Sequence, residues 1–384
     1  MGCRPGVAPQ PAAATHDGVS VALYNKLTSN RTRFVRVDQL CRLAIKEGQL
    51  QDPTPDEALP LKEKEGLERA QGEFLAEILA DEACGLHLCH SMLLPNASST
   101  QQMLFREKGE LSFPGATLRR EGKAAVVTMT NPAYLNAEDE ATLPGLEAAV
   151  DLALLDPQTE VCVLRGGAVT HPKYAGKRLF GAGINLTHLY QGKIRFLWYM
   201  IRDLGLVNKF YRGLAREKSS PEVDSVEKLW IAAVDGFAIG GHCQILLTMD
   251  YTIAARDAYL TLPARKEGII PGAADLRLPR FVGDRMARQA VMAERRFECD
   301  SAEGRLICDE IVEPERMDQK ISEIVERLTG SGVVSAAGNR RAFRAGQEPL
   351  DMFRRYMAVY AREQAHCHFS PALVSNLEKN WKVK

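Results

Sequence analysis

The sequence predicts an α/β protein with a helical segment ahead of its core and further helices behind it. Three observations carry this expectation. From residue 124 onward, short β-rich runs alternate with helical periodicity, and each run ends in a turn signal. Between about 20 and 95, apolar residues recur at three- and four-residue steps instead. After Val333 the pattern is again helical to the end. Strands alternating with helices place ligand sites on the connecting loops.

The elements follow in order. Residues 1–20, rich in Pro and Ala, read as a flexible leader without the apolar stretch of a secretory signal, which points to the cytoplasm. Residues 21–118 read as a helical N-terminal domain. Within it, Leu67, Ala70, Phe74, Ile78 and Leu79 give one amphipathic helix over 61–86, and the polar run from Asn96 to Gln102 reads as a linker. Residues 119–330 form the expected core. Its strands start at Ala124, Val161, Trp230 and Tyr251, and a helix spans Asn136 to Leu154. An apolar insertion at 194–214 has helical spacing, whereas the charged stretch at 216–226 reads as exposed. Residues 331–384 are the C-terminal helices. There Met352, Phe353, Tyr356, Met357 and Tyr360 form a stripe suited to packing across subunits or within one.

Charge narrows the partners. Lys+Arg and Asp+Glu are both 49, so the formal net charge is +0. That balance argues against broad attraction to nucleic acid or an anionic membrane surface. No run is long and apolar enough for a membrane-spanning helix. The nine cysteines are scattered, as expected of reduced thiols rather than a disulfide framework. Cys84, His87, Cys89 and His90 are the densest metal-like group, but they lack the spacing of a zinc module and sit where helical periodicity runs. No metal is expected.

Two glycine-containing turns carry the chemistry. The first is Phe180-Gly-Ala-Gly-Ile-Asn-Leu186, after the Val161 strand. The second is Val234-Asp-Gly-Phe-Ala-Ile-Gly-Gly-His-Cys-Gln244. Together with Ile270-Pro-Gly272, Arg280-Phe-Val-Gly-Asp284 and the run from Ser301 to Val312, they are similar to the signature of the crotonase (enoyl-CoA hydratase/isomerase) superfamily. The resemblance covers roughly 120 to 330. It implies a spiral core of ββα units, an acyl-CoA substrate, and two backbone amides, those of Ile184 and Gly241, as an oxyanion hole. Enolate formation puts negative charge on a thioester oxygen, and preorganised N–H donors aimed at it are each worth roughly 3 kcal/mol.

The hydratase acids are missing. Where the family's hydratases carry a glutamate after the second loop, this chain has Gln244. Where they carry the second, in a Gln-Pro-Glu pattern, it has Leu262-Pro-Ala264. Neither an amide nor a methyl group exchanges protons near neutral pH. With the N-terminal extension and the insertion after the first loop, this resembles a branch of metal- and cofactor-independent oxygenases acting on dihydroxyarylacetyl-CoA thioesters in arylglycine biosynthesis. The resemblance implies O2 as co-substrate, no cofactor, release of CoA, and a homo-oligomer, trimer or hexamer.

It also suggests roles for side chains. Leu186, Ala264 and Ile269 would line a dry pocket for O2, with plain core packing as the competing reading. Glu138, His171, Arg202 and Gln244 would hold the ring hydroxyls. For Glu138 the alternative is a helix first-turn acid, and for His171 a surface loop residue. Lys173, Lys177 and Arg178 would meet the CoA phosphates or stand as a solvated loop. The base that takes the α-proton is not identified by any motif. Three rival functions remain: an isomerase or thioesterase using Glu138 or His171, a silent acyl-CoA-binding subunit, and a metal-dependent oxygenase.

Overall fold

The computed structural model describes residues 17–331 and 333–381. Residues 1–16 of the expected leader therefore lie outside the described residues, while 17–20 already belong to the helix Asp17–Leu27.

The main sheet starts before the expected core. β1 (Glu110–Phe113) and β2 (Ala116–Glu121) pair antiparallel around a two-residue turn, where Gly115 takes a φ of 83° that favours glycine. The boundary set at 118/119 thus falls inside β2. β3 (Ala124–Met129) and β4 (Val161–Gly166) are parallel and almost wholly buried. A small hairpin, β5 (Leu214–Ala215) and β6 (Ser225–Val226), leads to β7 (Leu229–Val234), which pairs with β4. β8 (Phe237–Ile239), β9 (Tyr251–Ala255), β10 (Tyr259–Thr261), β11 (Phe297–Glu298) and β12 (Glu310–Val312) complete the set. The large sheet has the order β1-β2-β3-β4-β7-β9-β12, parallel from β3 to β12. Continuous apolar runs such as Val161–Leu164 and Ile231–Val234 suit strands covered on both faces.

A second layer carries the site. β8 pairs parallel with β10, and β11 closes that sheet antiparallel. Single bridges, Gly181 to Ala238 and Glu138 to Ile184, extend the layer toward the first glycine turn. The chain therefore repeats a strand in the large sheet, a short strand in the small layer and a helix, as in β7, β8 and Gly241–Leu246.

Several local expectations change. The helix over 61–86 is two helices, Arg69–Ala80 and Glu82–Leu93, because Asp81 breaks the run and caps the second by accepting from the Cys84 amide at 2.8 Å. The polar run at 96–102 is not a linker. Ser98 and Gln101 form a capping box that starts the helix Ser99–Lys108. The helix expected from Asn136 begins only at Leu143. Asn136 instead takes a left-handed φ of 58°, and its buried amide donates to Gly167 O at 2.9 Å and Leu179 O at 2.8 Å.

The N-terminal helices do not have a core of their own. Leu75, Ile78 and Leu79 belong to the same buried cluster as Val163, Ile231 and Phe353. The long helix Leu350–His368 buries Phe353, Met357 and Tyr360 within the chain and packs on Arg69–Ala80. Among the described residues no helix is long and apolar enough to cross a membrane.

Candidate active site

The two glycine turns meet. Around the Glu138–Ile184 bridge, the Glu138 amide donates to Gly183 O at 2.7 Å and the Asn185 amide donates to Glu138 O at 2.8 Å. In a parallel bridge that pattern turns the Ile184 N–H away from Glu138. Gly240 takes φ 53° and ψ −116°, and Gly241 opens the helix Gly241–Leu246 with an N–H that has no partner within the helix. A Cβ on Gly183 would lie 3.1 Å from the Gly241 nitrogen and 2.8 Å from Ile239 O, so only glycine lets the two turns come this close.

His242 fixes the first turn from behind. It is fully buried, and its Nδ1 accepts from the Gly183 amide at 2.8 Å. Burial lowers its pKa to about 4, keeping the ring neutral and able to accept that bond.

Arg202 organises the rest. It lies at the start of a π-helical stretch, Arg202–Val207, within the insertion, and is buried. Its Nε donates to Glu138 Oε1 at 3.0 Å and its Nη2 to Glu138 Oε2 at 2.7 Å. Nη1 donates to Gln244 Oε1 at 2.9 Å and to Asp203 Oδ1 at 3.2 Å, and Nη2 also reaches Gly241 O at 2.8 Å. One guanidinium therefore ties the second turn to Glu138, Gln244 and Asp203. Burial alone would lower the Arg202 pKa, but Glu138 and Asp203 outweigh it and hold the charge more firmly than usual. Burial pushes the Asp203 carboxyl up, against the pull of Arg202.

Arg202, Asp203, Gln244 and the two glycine turns border one narrow pocket. Ile184, Gly240, Gly241, Arg202 and Gln244 form one side, and Ala264, Ile269, Ile270 and Pro271 form another. The insertion helix contributes Trp198 and Tyr199, and the C-terminal helix contributes Tyr360. The Trp198 ring stacks 5.8 Å from the Arg202 guanidinium, and its indole N–H is buried without a hydrogen-bond partner among the described residues. Glu267 also borders the pocket, and burial pushes its carboxyl up to about 7.

The expected residues separate into groups. Ile184, Gly241, Arg202, Gln244, Ala264 and Ile269 are brought together at the pocket. Glu138 stands directly behind Arg202; it is not a helix first-turn acid, because it lies in the bridging segment ahead of Leu143. Leu186 is half-buried at the start of the helix Leu186–Tyr190, outside the pocket lining. His171 is half-buried on the preceding loop, where its Nδ1 accepts from the Lys173 amide at 3.3 Å, also away from the pocket. Lys173, Lys177 and Arg178 are exposed, and the last two border a separate open cleft with Tyr174 and Tyr259. Trp198, Tyr199, Asp203, Glu267 and Tyr360 have no motif of their own. Only Glu267 left a trace, one helical turn beyond the vacated acid position at Ala264.

The group of Cys84, His87, Cys89 and His90 lies on the helix Glu82–Leu93, where the Tyr24 hydroxyl bonds His87 Nδ1 at 2.7 Å and His90 Nε2 bonds Arg216 O at 2.9 Å. Among the described residues no three His, Cys, Asp or Glu side chains converge to hold a metal.

Comparison with known proteins agrees with this geometry. Residues 119–362 match the family model described as enoyl-CoA hydratase/isomerase. The chain is 43% identical to the (3,5-dihydroxyphenyl)acetyl-CoA 1,2-dioxygenase of Amycolatopsis orientalis, over 89% of this chain and 80% of that one. It is 28% identical to the short-chain-enoyl-CoA hydratase of Clostridium acetobutylicum, over 60% of this chain and 81% of that one. Among solved structures, an enoyl-CoA hydratase from Mycobacterium avium subsp. paratuberculosis superposes with a TM-score of 0.58 at 19% identity, covering 71% of this chain and 97% of its own. The dioxygenase match covers so much of the chain that it must run well into the segment ahead of residue 119.

Proposed function

The chain belongs to the enoyl-CoA hydratase/isomerase family, and from that premise we propose that it is a dioxygenase converting 3,5-dihydroxyphenylacetyl-CoA and O2 to 3,5-dihydroxyphenylglyoxylate and CoA. The observation that carries this reading is a pocket that pairs the Ile184 and Gly241 turns with Gln244 and Ala264 at the two hydratase acid positions. Enolate stabilisation is kept, and water addition is not.

The chemistry follows from those groups. Loss of a benzylic α-proton gives a thioester enolate whose oxygen faces the two amides. Conjugation with an electron-rich ring makes this carbanion able to pass one electron to O2. Recombination gives an α-peroxide, whose terminal oxygen attacks the thioester carbonyl and expels CoA. Cleavage of the O–O bond with loss of the second α-proton leaves the α-keto acid. No metal or flavin is needed for these steps. O2 prefers an apolar wall, which Ala264 and Ile269 would supply; Leu186, outside the pocket lining, would join it only if the pocket widens around substrate.

The ring hydroxyls would be held by the polar side. Gln244 faces the pocket beside Arg202, which Glu138 holds in place, and the free Trp198 N–H can donate to a phenol oxygen. Lys173, Lys177 and Arg178 sit on the exposed loop leading into Ile184, where they would meet CoA phosphates; His171, on the same loop, would reach the substrate only if that loop moves. Phe343, Met352 and Val359 leave apolar surface exposed on the C-terminal helices, which suits assembly as a trimer or dimer of trimers. We place the protein in the cytoplasm, where its free cysteines stay thiols.

Incubation of the arylacetyl-CoA with the protein in air and under strict anoxia tests this. CoA release is expected in air, before and after exhaustive chelation, and to stop under anoxia. Equal release without O2 would identify a thioesterase instead.

A further inference from the structure

Glu267 is the one acid at the pocket that the arrangement around Arg202 leaves uncommitted. It closes the single helical turn Ala264–Glu267, which the left-handed Gly268 ends at φ 98°. Residues three apart on such a turn share a face. Glu267 therefore looks out beside Ala264, and both border the same pocket as Ile184 and Gly241. Its backbone is held in place, with the amide donating to Pro263 O at 3.0 Å. Its carboxylate has no ion pair among the described residues, unlike Glu138 and Asp203, which both face Arg202.

We propose that Glu267 is the base that removes the substrate's α-proton. This rests on the reading of the chain as an oxygenase working through a thioester enolate. The step balances within the pocket. The Cα–H electron pair becomes the C=C bond of the enolate, the carbonyl π pair moves to the oxygen facing Ile184 and Gly241, and the proton passes to a Glu267 oxygen. The hydratase acid missing at position 264 is thus replaced one turn along the same face.

The surroundings agree with that role. The titratable groups sharing the pocket are Tyr199, Tyr360, Arg202 and Asp203. Those on the elements packed against the turn point outward. Arg265 and Lys266 pair with Glu294, Asp284 pairs with Arg288, Arg285 and Lys379 are exposed, and Glu378 accepts from Tyr190. Burial, unopposed by an ion pair, pushes the carboxyl up to about 7, which suits a base working near neutral pH.

Exchange of the α-hydrogens into D2O, followed by mass spectrometry of 3,5-dihydroxyphenylacetyl-CoA under anoxia, isolates this step from the reaction with O2. The wild-type protein is expected to exchange them, faster as pH rises through about 7, because only the ionised carboxylate accepts a proton. Glu267→Gln is expected to exchange ~10²-fold or more slowly and to lose that pH dependence, while binding the thioester with a Kd within a few-fold of wild type. Glu267→Asp keeps a carboxylate and should recover part of the rate. A Glu267→Gln protein exchanging near the wild-type rate, or keeping the rise near pH 7, overturns the assignment. If Glu267→Gln does not fold, the wild-type profile and Glu267→Asp decide, and a wild-type rate without a rise near pH 7 refutes it. A wild-type protein that exchanges nothing refutes the enolate reading itself.

Discussion

Gly183→Ala is expected to lower kcat by about a hundredfold or more while the protein stays folded. The new methyl group would press on Ile239 O at 2.8 Å and on the Gly241 nitrogen at 3.1 Å, and neither backbone atom can swing aside as a side-chain end would. Relief must come from moving the two turns apart, which would spoil the oxyanion hole proposed for the Ile184 and Gly241 amides. The residue also sits at φ 78°, where an L side chain costs about 1–2 kcal/mol. Gly122→Ala provides the control. Gly122 has a similar φ of 57°, but its Cβ would meet nothing within 4 Å. It should lose comparable stability in denaturant unfolding and keep its kcat. Equal activity losses in the two variants would show that strain, rather than the oxyanion geometry, explains the effect.

Arg202→Ala is expected to cost about 3–5 kcal/mol in unfolding free energy and to abolish measurable turnover. Removing the guanidinium leaves Glu138 and Asp203 buried without their counter-charge, and it frees the Gly241 carbonyl that Nη2 holds at 2.8 Å. Arg202→Lys should fall between. A single ammonium keeps the charge, but its three donors on one nitrogen cannot span both Glu138 oxygens, Gln244, Asp203 and the Gly241 carbonyl at once. Urea midpoints of the three proteins measure the first effect, and CoA release in air measures the second. Wild-type stability in Arg202→Ala would mean that the buried carboxylates take up protons without cost, contrary to the pairing described.

What could be read from residues alone was local. The glycine turns are legible because tight approach and left-handed backbone allow few residues, and Gln244 and Ala264 because the family resemblance sets an amide and a methyl group where its hydratases carry acids; both do line the pocket. Arg202 and Glu138 were each visible as candidates, yet nothing in their spacing told that they pair. That contact depends on how the insertion helix folds back, and its π-helical stretch has no sequence signature. Trp198 and Tyr360 were hidden for the same reason, since they reach the pocket from an insertion and from the far C-terminal helix. The N-terminal helices read as a separate domain because periodicity shows which face is apolar but not what covers it. Here the insertion helices between Phe196 and Arg212 and the helix Leu350–His368 cover it. The helix after Asn136 starts later than its apolar spacing suggests, at Leu143, because a buried asparagine hydrogen-bonding two carbonyls can replace helical bonds.

The most direct measurement is the fate of oxygen atoms during turnover of 3,5-dihydroxyphenylacetyl-CoA under 18O2 in ordinary water. The account predicts one 18O atom in the carboxylate of the α-keto acid and one in its keto group, read promptly because keto oxygens exchange with water. A carboxylate carrying only oxygen from water would contradict it.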